Sequence, residues 1–288
     1  MDKEKKSIEL PENWWRRKNV SFLLSDHLLP GFIQLILKIN HEGQVFRQSC
    51  TGFLIELDNQ MLWVSAAHVV DAINKFAEND YLISAIWIDR FDNPNAPVLP
   101  SSRKKFTVYS GEREGFDFGA LLMPVLEVSH FRQNRNIKPF MVKGTIEGST
   151  ITPEGYIFVG FPWETNTISE SPVSKSQVKV QLTPQLKTLP LRRIERPKFE
   201  TNDPHWDDPD AFYGEVLPYL GEGSVDIDNF KGMSGGPILS FKQDGKGIYF
   251  ILEGIFSSFI KTKKYIRAEP QERVIRNLKE WLSQISVT

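Results

Sequence analysis

Gly232-Met233-Ser234-Gly235-Gly236-Pro237-Ile238-Leu239 is the stretch on which the reading of this chain turns. One serine stands among three glycines, and a strand-type apolar run follows at once. A serine hydroxyl is a weak nucleophile, so chemistry at Ser234 needs a base within hydrogen-bond reach and donors for a developing oxyanion. A glycine before the serine lets the backbone turn until amide N–H groups converge on one point. That assigns an oxyanion hole to the backbone N–H groups of Gly232 and Ser234. Gly235 and Gly236 would leave room for a substrate backbone to pass close by. The alternative is a glycine-rich turn holding an incidental serine.

Moving outward, two further segments carry groups that Ser234 would need. In Trp63-Val64-Ser65-Ala66-Ala67-His68-Val69-Val70 a histidine follows a strand directly, beside two alanines that admit close packing. It reads as a general base or as a satisfied core histidine. In Gly115-Phe116-Asp117-Phe118-Gly119-Ala120-Leu121-Leu122 a carboxylate opens an apolar run. Such a carboxylate is part-buried and needs a partner. An imidazole N–H would serve, since that contact fixes the tautomer and steadies the imidazolium. Asp117 otherwise reads as a strand-capping residue.

Taken together, TGFLI at 51–55, VSAAH at 64–68, DFGALL at 117–122, GFP at 160–162, GMSGGPIL at 232–239 and LEGIFSS at 252–258 resemble the trypsin/chymotrypsin family of serine proteases. The resemblance runs over roughly residues 30 to 285, and DFGAL and GFP look more like its bacterial branches than its digestive ones. It implies an all-β fold of two six-stranded antiparallel β-barrels with a C-terminal α-helix, and a catalytic triad of His68, Asp117 and Ser234. The division that follows is an N-terminal arm at 1–25, a first barrel at 26–130, a second at 131–267 with an insertion near 191–223, and the helix at 268–288. Position 228, six before the serine, matches the pocket floor of trypsin-like members, so Asp228 points to cleavage after basic residues; the alternative is that Asp226 and Asp228 are simply solvated in a polar loop. Ser257 and Ser258 fall along the edge where an extended substrate would add as a strand. Phe259 falls where small residues keep the pocket mouth open. Two departures matter: Val69 replaces the cysteine that would pair with Cys50, and Met233 replaces the aspartate that binds a freshly cut N-terminus. Neither that disulfide nor that activation route is expected.

Composition agrees with a globular enzyme. The 288 residues are 40% hydrophobic and 25% charged, with a net charge of −1. Such a charge gives no bulk attraction to nucleic acid or an anionic membrane, and no apolar run reaches the length of a membrane helix. The first residues mix both charge signs around no apolar core, which reads against a signal peptide, and a single cysteine favours the cytoplasm. His27, His41, His130 and His205 show no ligand spacing with one another or with Cys50, so no metal is predicted, and the mechanism requires no cofactor.

Strand-type runs are expected at Phe32–Ile39, Gly52–Glu56, Leu62–Ser65, Tyr81–Ile88, Phe118–Met123, Ile146–Ile151, Ile157–Phe161, Gln177–Leu182, Pro237–Ser240 and Tyr249–Phe256. Helices are expected at Ala66–Phe76 and at Pro270–Ile285, where Val274, Leu278, Trp281, Leu282 and Ile285 form one stripe and Glu269 and Pro270 fit the first turn. Residues 124–143 read as a connector, and Trp14-Trp15-Arg16-Arg17 as an arm packed on a barrel. The expected partner is a protein or peptide substrate. The alternatives are a protease effector switched on by a protein partner in a bacterial stress or defence pathway, and an inactive protease-like binding module.

Overall fold

The computed structural model describes residues 14–17, 28–88, 99–101, 105–134, 137–140, 142, 153–161, 167–172, 178–183, 186–198, 204–219, 232–244 and 247–285. Asp226, Asp228 and the expected strand at Ile146–Ile151 lie outside the described residues.

The first half is built from hairpins. Strand β1 (Phe32–His41) runs into β2 (Gln44–Leu57) through Glu42-Gly43, and β2 into β3 (Gln60–Ser65) through Asp58-Asn59. All four turn residues have positive φ, the type I′ geometry whose twist matches the flanking strands. Helix α1 (Ala67–Glu78) follows β3, and β4 (Leu82–Ile88) returns to pair with β1. With β5 (Leu99–Pro100), β6 (Val108–Ser110) and β7 (Gly119–Leu122), these strands form a seven-stranded sheet in the order β5-β4-β1-β2-β3-β7-β6. The resemblance implied a closed six-stranded barrel here. The mostly-β architecture stands, with this sheet showing seven paired strands among the described residues beside the closed six-stranded barrel of the other half. The expected connector at 124–143 contains a helix, α2 (Val125–Asn134), which buries Phe131 and exposes Val125 and Leu126.

The second half is a closed six-stranded barrel. It comprises β8 (Gly155–Gly160), β11 (Lys187–Arg193), β12 (Phe212–Val216), β13 (Pro237–Asp244), β14 (Gly247–Ile260) and β15 (Tyr265–Pro270), in the order β11-β12-β15-β14-β13-β8. A separate hairpin, β9 (Thr167–Pro172) and β10 (Val178–Thr183), follows β8. Strand β12 lies inside the 191–223 stretch expected to be an irregular insertion. The acids and aromatics before it fold back onto its start: the Tyr213 hydroxyl donates to the Asp208 carbonyl at 2.7 Å, and Trp206 packs on the Tyr213 ring. Those residues therefore frame a barrel strand rather than replace it.

Alternation along the barrel strands joins the two halves. On β8, Phe158 points into the barrel with Leu189, Phe212, Ile238 and Phe256. Ile157 and Val159 point outward, into a cluster shared with Phe32, Phe53 and Phe140 of the first half. Phe32 stands edge-on to both Phe140 and Phe161 at 5.3 Å, a favourable aromatic geometry. Helix α3 (Gln271–Ile285) closes this cluster with Val274, Leu278, Trp281 and Leu282, as the apolar stripe predicted. Glu269 and Pro270 end β15 instead of starting the helix, because Glu269 is fully buried against two arginines. In the arm, Trp14 and Trp15 pack on Phe241 of the barrel. No described helix is long and apolar enough to cross a membrane.

Candidate active site

Adjacent strands bring the histidine and the aspartate together. Strand β3 ends at Ser65, Ala66 keeps an extended backbone, and the chain turns into α1, of which His68 is the second residue. Strand β7 lies beside β3 with Gly119 opposite Ser65. Asp117, two residues before Gly119, therefore arrives next to the start of the helix. His68 Nδ1 stands 3.3 Å from Asp117 Oδ1. The imidazole is 57% exposed and the carboxylate 33%, so the pair is held at the surface. Hydrogen bonding to Asp117 raises the His68 pKa above its usual 6.5 against an opposing desolvation, and the charges on Asp117, Glu112 and Asp71 add to the rise.

The serine loop meets the same corner. Gly235 has φ +77, and a Cβ there would lie 2.0 Å from the Ala66 nitrogen and 2.6 Å from the Ser65 carbonyl carbon. The backbone beside Ser234 thus touches the backbone two residues before His68, a contact only glycine permits. The loop is tied down from Met233 to Phe256: Gly236 N–H donates to the Met233 carbonyl at 3.0 Å, Gly235 N–H to the Phe256 carbonyl at 3.2 Å, and Phe256 N–H to the Gly236 carbonyl at 2.9 Å. Ser234 is part-exposed on this loop, and Gly232, with φ +88, is exposed beside it. Met233 is buried among Phe158, Ile238 and Phe256, so an apolar side chain fills the space beneath the loop.

A cleft of about 350 Å³ opens beside the histidine, lined by His68, Asp117, Glu112, Gly115 and Phe116 on one side and by Ser257, Ser258 and Arg267 on the other. Strand β14 pairs with β13 only as far as Ile255, and no described strand pairs with Ser257 and Ser258 on that side. The two serines therefore present a sheet edge to the cleft. Phe259 packs part-buried against the barrel core and does not line the cleft.

Four functional neighbours escaped the sequence reading. Asp71 sits three residues after His68 on the same helix face, bonded to the Ser110 hydroxyl at 2.9 Å. Hydrogen bonding with Asp71, and its charge, hold the exposed Glu112 carboxyl above its ordinary value. Arg267, 2% exposed, donates to Glu269 at 2.7 Å, to Asp208 at 3.0 Å and to the Ser257 hydroxyl at 2.9 Å. Arg273 bonds the same two acids and holds Asp208 down at a pKa of about 2. The signal for Arg267 was present: an arginine and a glutamate two apart in YIRAEP share one face of a strand, the spacing of a buried ion pair.

No family model matches the chain, and no curated protein matches it in sequence. Among solved structures it is similar to the active form of the Rv3671c protease from M. tuberculosis, with a TM-score of 0.43 and 14% identity, over 94% of this chain and 88% of that one. It is also similar to a catalytically inactive tobacco etch virus protease complexed with substrate, with a TM-score of 0.35 and 12% identity, over 84% and 79% of the two chains.

Proposed function

We propose that the chain is a serine endopeptidase that hydrolyses peptide bonds through an acyl-enzyme. Ser234 Oγ attacks the substrate carbonyl, His68 takes its proton through Nε2 and later returns it to the leaving amine, and Asp117 holds the Nδ1–H tautomer. The backbone N–H groups of Gly232 and Ser234 stabilise the oxyanion. The single observation that carries this reading is the corner where His68 meets Asp117 at 3.3 Å while Gly235 packs the serine loop onto Ala66. The edge at Ser257 and Ser258 supports binding of an extended peptide as an added strand.

Labelling with a fluorophosphonate probe tests it. The wild-type chain should be marked and Ser234→Ala should not; a wild-type chain left unlabelled under every condition would refute the reading and leave a protease-like binding module. The preference for basic residues rests on Asp228. A peptide library cleaved after acidic or small residues, or a profile unchanged in Asp228→Ala, would remove it.

A further inference from the structure

We infer that the terminal helix positions Asp117: Arg273 and Asn277 on α3 hold the loop that carries this carboxylate against His68. The inference rests on the triad reading above, and it concerns how the orienting group is kept in place.

Arg273, Asn277 and Trp281 are spaced four apart and share one face of α3. The Arg273 guanidinium stands over the Phe116 ring at 4.8 Å from its centroid, a cation–π contact on the residue preceding Asp117. Asn277 Nδ2 donates to Glu114 Oε2 at 3.1 Å, and the Tyr109 hydroxyl donates to the same oxygen at 3.2 Å. The Tyr109 ring in turn packs on Trp281 at 5.9 Å and on Phe118 at 5.5 Å. Phe116 and Phe118, which flank Asp117, are stacked on each other.

The loop's own backbone closes its base and one tight turn: Gly111 N–H donates to the Phe118 carbonyl, Phe116 and Glu114 N–H to the Gly111 carbonyl, all at 2.9 Å, and Gly115 N–H to the Glu112 carbonyl at 3.0 Å. Besides Tyr109, the side chains that grip its outer surface, Arg273 and Asn277, come from α3, in the other half of the molecule. Arg273 can act as a fixed post because Glu269 and Asp208 hold it from behind, at 2.8 and 3.1 Å, and both acids are also bonded to the buried Arg267. A rigid chain of contacts thus runs from the barrel through Arg273 and Phe116 to Asp117. Arg273 and Asn277 touch none of the reacting groups and are positioning residues.

The His68 ring reports the position of Asp117. The groups that raise its pKa are Asp117, Glu112 and Asp71, with the Asp117 hydrogen bond the largest. If α3 loosens its hold, Asp117 recedes, the raising influence weakens and His68 gives up its proton at lower pH. An NMR titration of the His68 ring in the full chain measures this without any turnover. Asn277→Ala and Phe116→Leu, each confirmed as folded by circular dichroism, should shift the midpoint downward. Lys279→Ala, which changes an exposed helix position paired with Asp58, should not. The acid limb of the fluorophosphonate labelling rate should move the same way, with the rate roughly three- to tenfold lower, the loss expected for one part-exposed hydrogen bond. A midpoint that stays at the wild-type value in folded Asn277→Ala overturns the inference, as does an equal shift in Lys279→Ala. If the wild type resists labelling but its midpoint still shifts in Asn277→Ala, the positioning stands and the protease reading falls.

Discussion

Gly235→Ala is the substitution that most directly tests how the halves meet. The new methyl meets a backbone nitrogen at 2.0 Å where ordinary contact begins near 3.4 Å, so the serine loop and the Ser65–Ala66 backbone must part by more than 1 Å. The far side has little room to give, since Ser65 is fully buried and paired opposite Gly119. The loop therefore retreats, straining the bonds of Gly235 and Gly236 to Phe256 and Met233, each worth about 1 kcal/mol. Holding alanine at φ +77 costs about another 1 kcal/mol. We expect a loss of about 2–4 kcal/mol, a fall in Tm of roughly 3–7 °C for a chain of this length. A nucleophile misplaced by about 1 Å loses on the order of 100-fold in rate. Gly43→Ala supplies the control: its φ is +79, but nothing lies within 4 Å of the new methyl. It carries the backbone strain without the clash, so it should lose about 1 kcal/mol and label at the wild-type rate. Scanning calorimetry and the fluorophosphonate labelling rate read both variants. The reasoning fails if Gly235→Ala labels like the wild type, or if the two glycines cost the same stability.

Four further outcomes are expected. Because Asp117 raises the His68 pKa, the neutral base forms only as pH climbs through a value above 6.5; Asp117→Asn should shift the acid limb of the kcat/KM profile to lower pH and reduce kcat by roughly 10⁴-fold. The same linkage gives a stabilising contribution that is complete below pH 6.5 and fades as pH rises through the raised His68 value, so the wild-type advantage in Tm over Asp117→Asn should shrink along that interval, and a constant advantage across it would contradict the contact. Burial pushes the Cys50 thiol up to about 12, so iodoacetamide at pH 8 should leave native protein unmodified and react only after denaturant is added. Arg267→Met leaves the buried Glu269 and the partly exposed Asp208 sharing one arginine, and should cost about 3–5 kcal/mol in urea unfolding; a stability within 1 kcal/mol of wild type would mean that the network is weakly coupled.

Local chemistry was legible along the chain wherever neighbouring residues create it. The Asp58-Asn59 turn and the apolar stripe from Val274 to Ile285 each impose backbone or packing geometry within a few residues, and both stand in the structure, whereas Gly235 and Gly236, expected to leave room for a substrate backbone, instead pack against Ala66 and the Val159 carbonyl. The sequence by itself therefore marked the long strands of the first half, β8, β13 and β14 of the barrel and the terminal helix, and it named the three residues of the candidate triad, but it did not mark β11, β12 or β15. Strand β12 was hidden because acids and prolines in the approach to it mask an alternation only five residues long. What only the tertiary structure decided is the company these residues keep: Gly235 against Ala66, Arg267 and Arg273 sharing Glu269 and Asp208, and Asn277 reaching Glu114 across 163 residues. The physical reason is that such contacts arise from how two separately patterned halves pack, and nothing in the local sequence of either partner names the other.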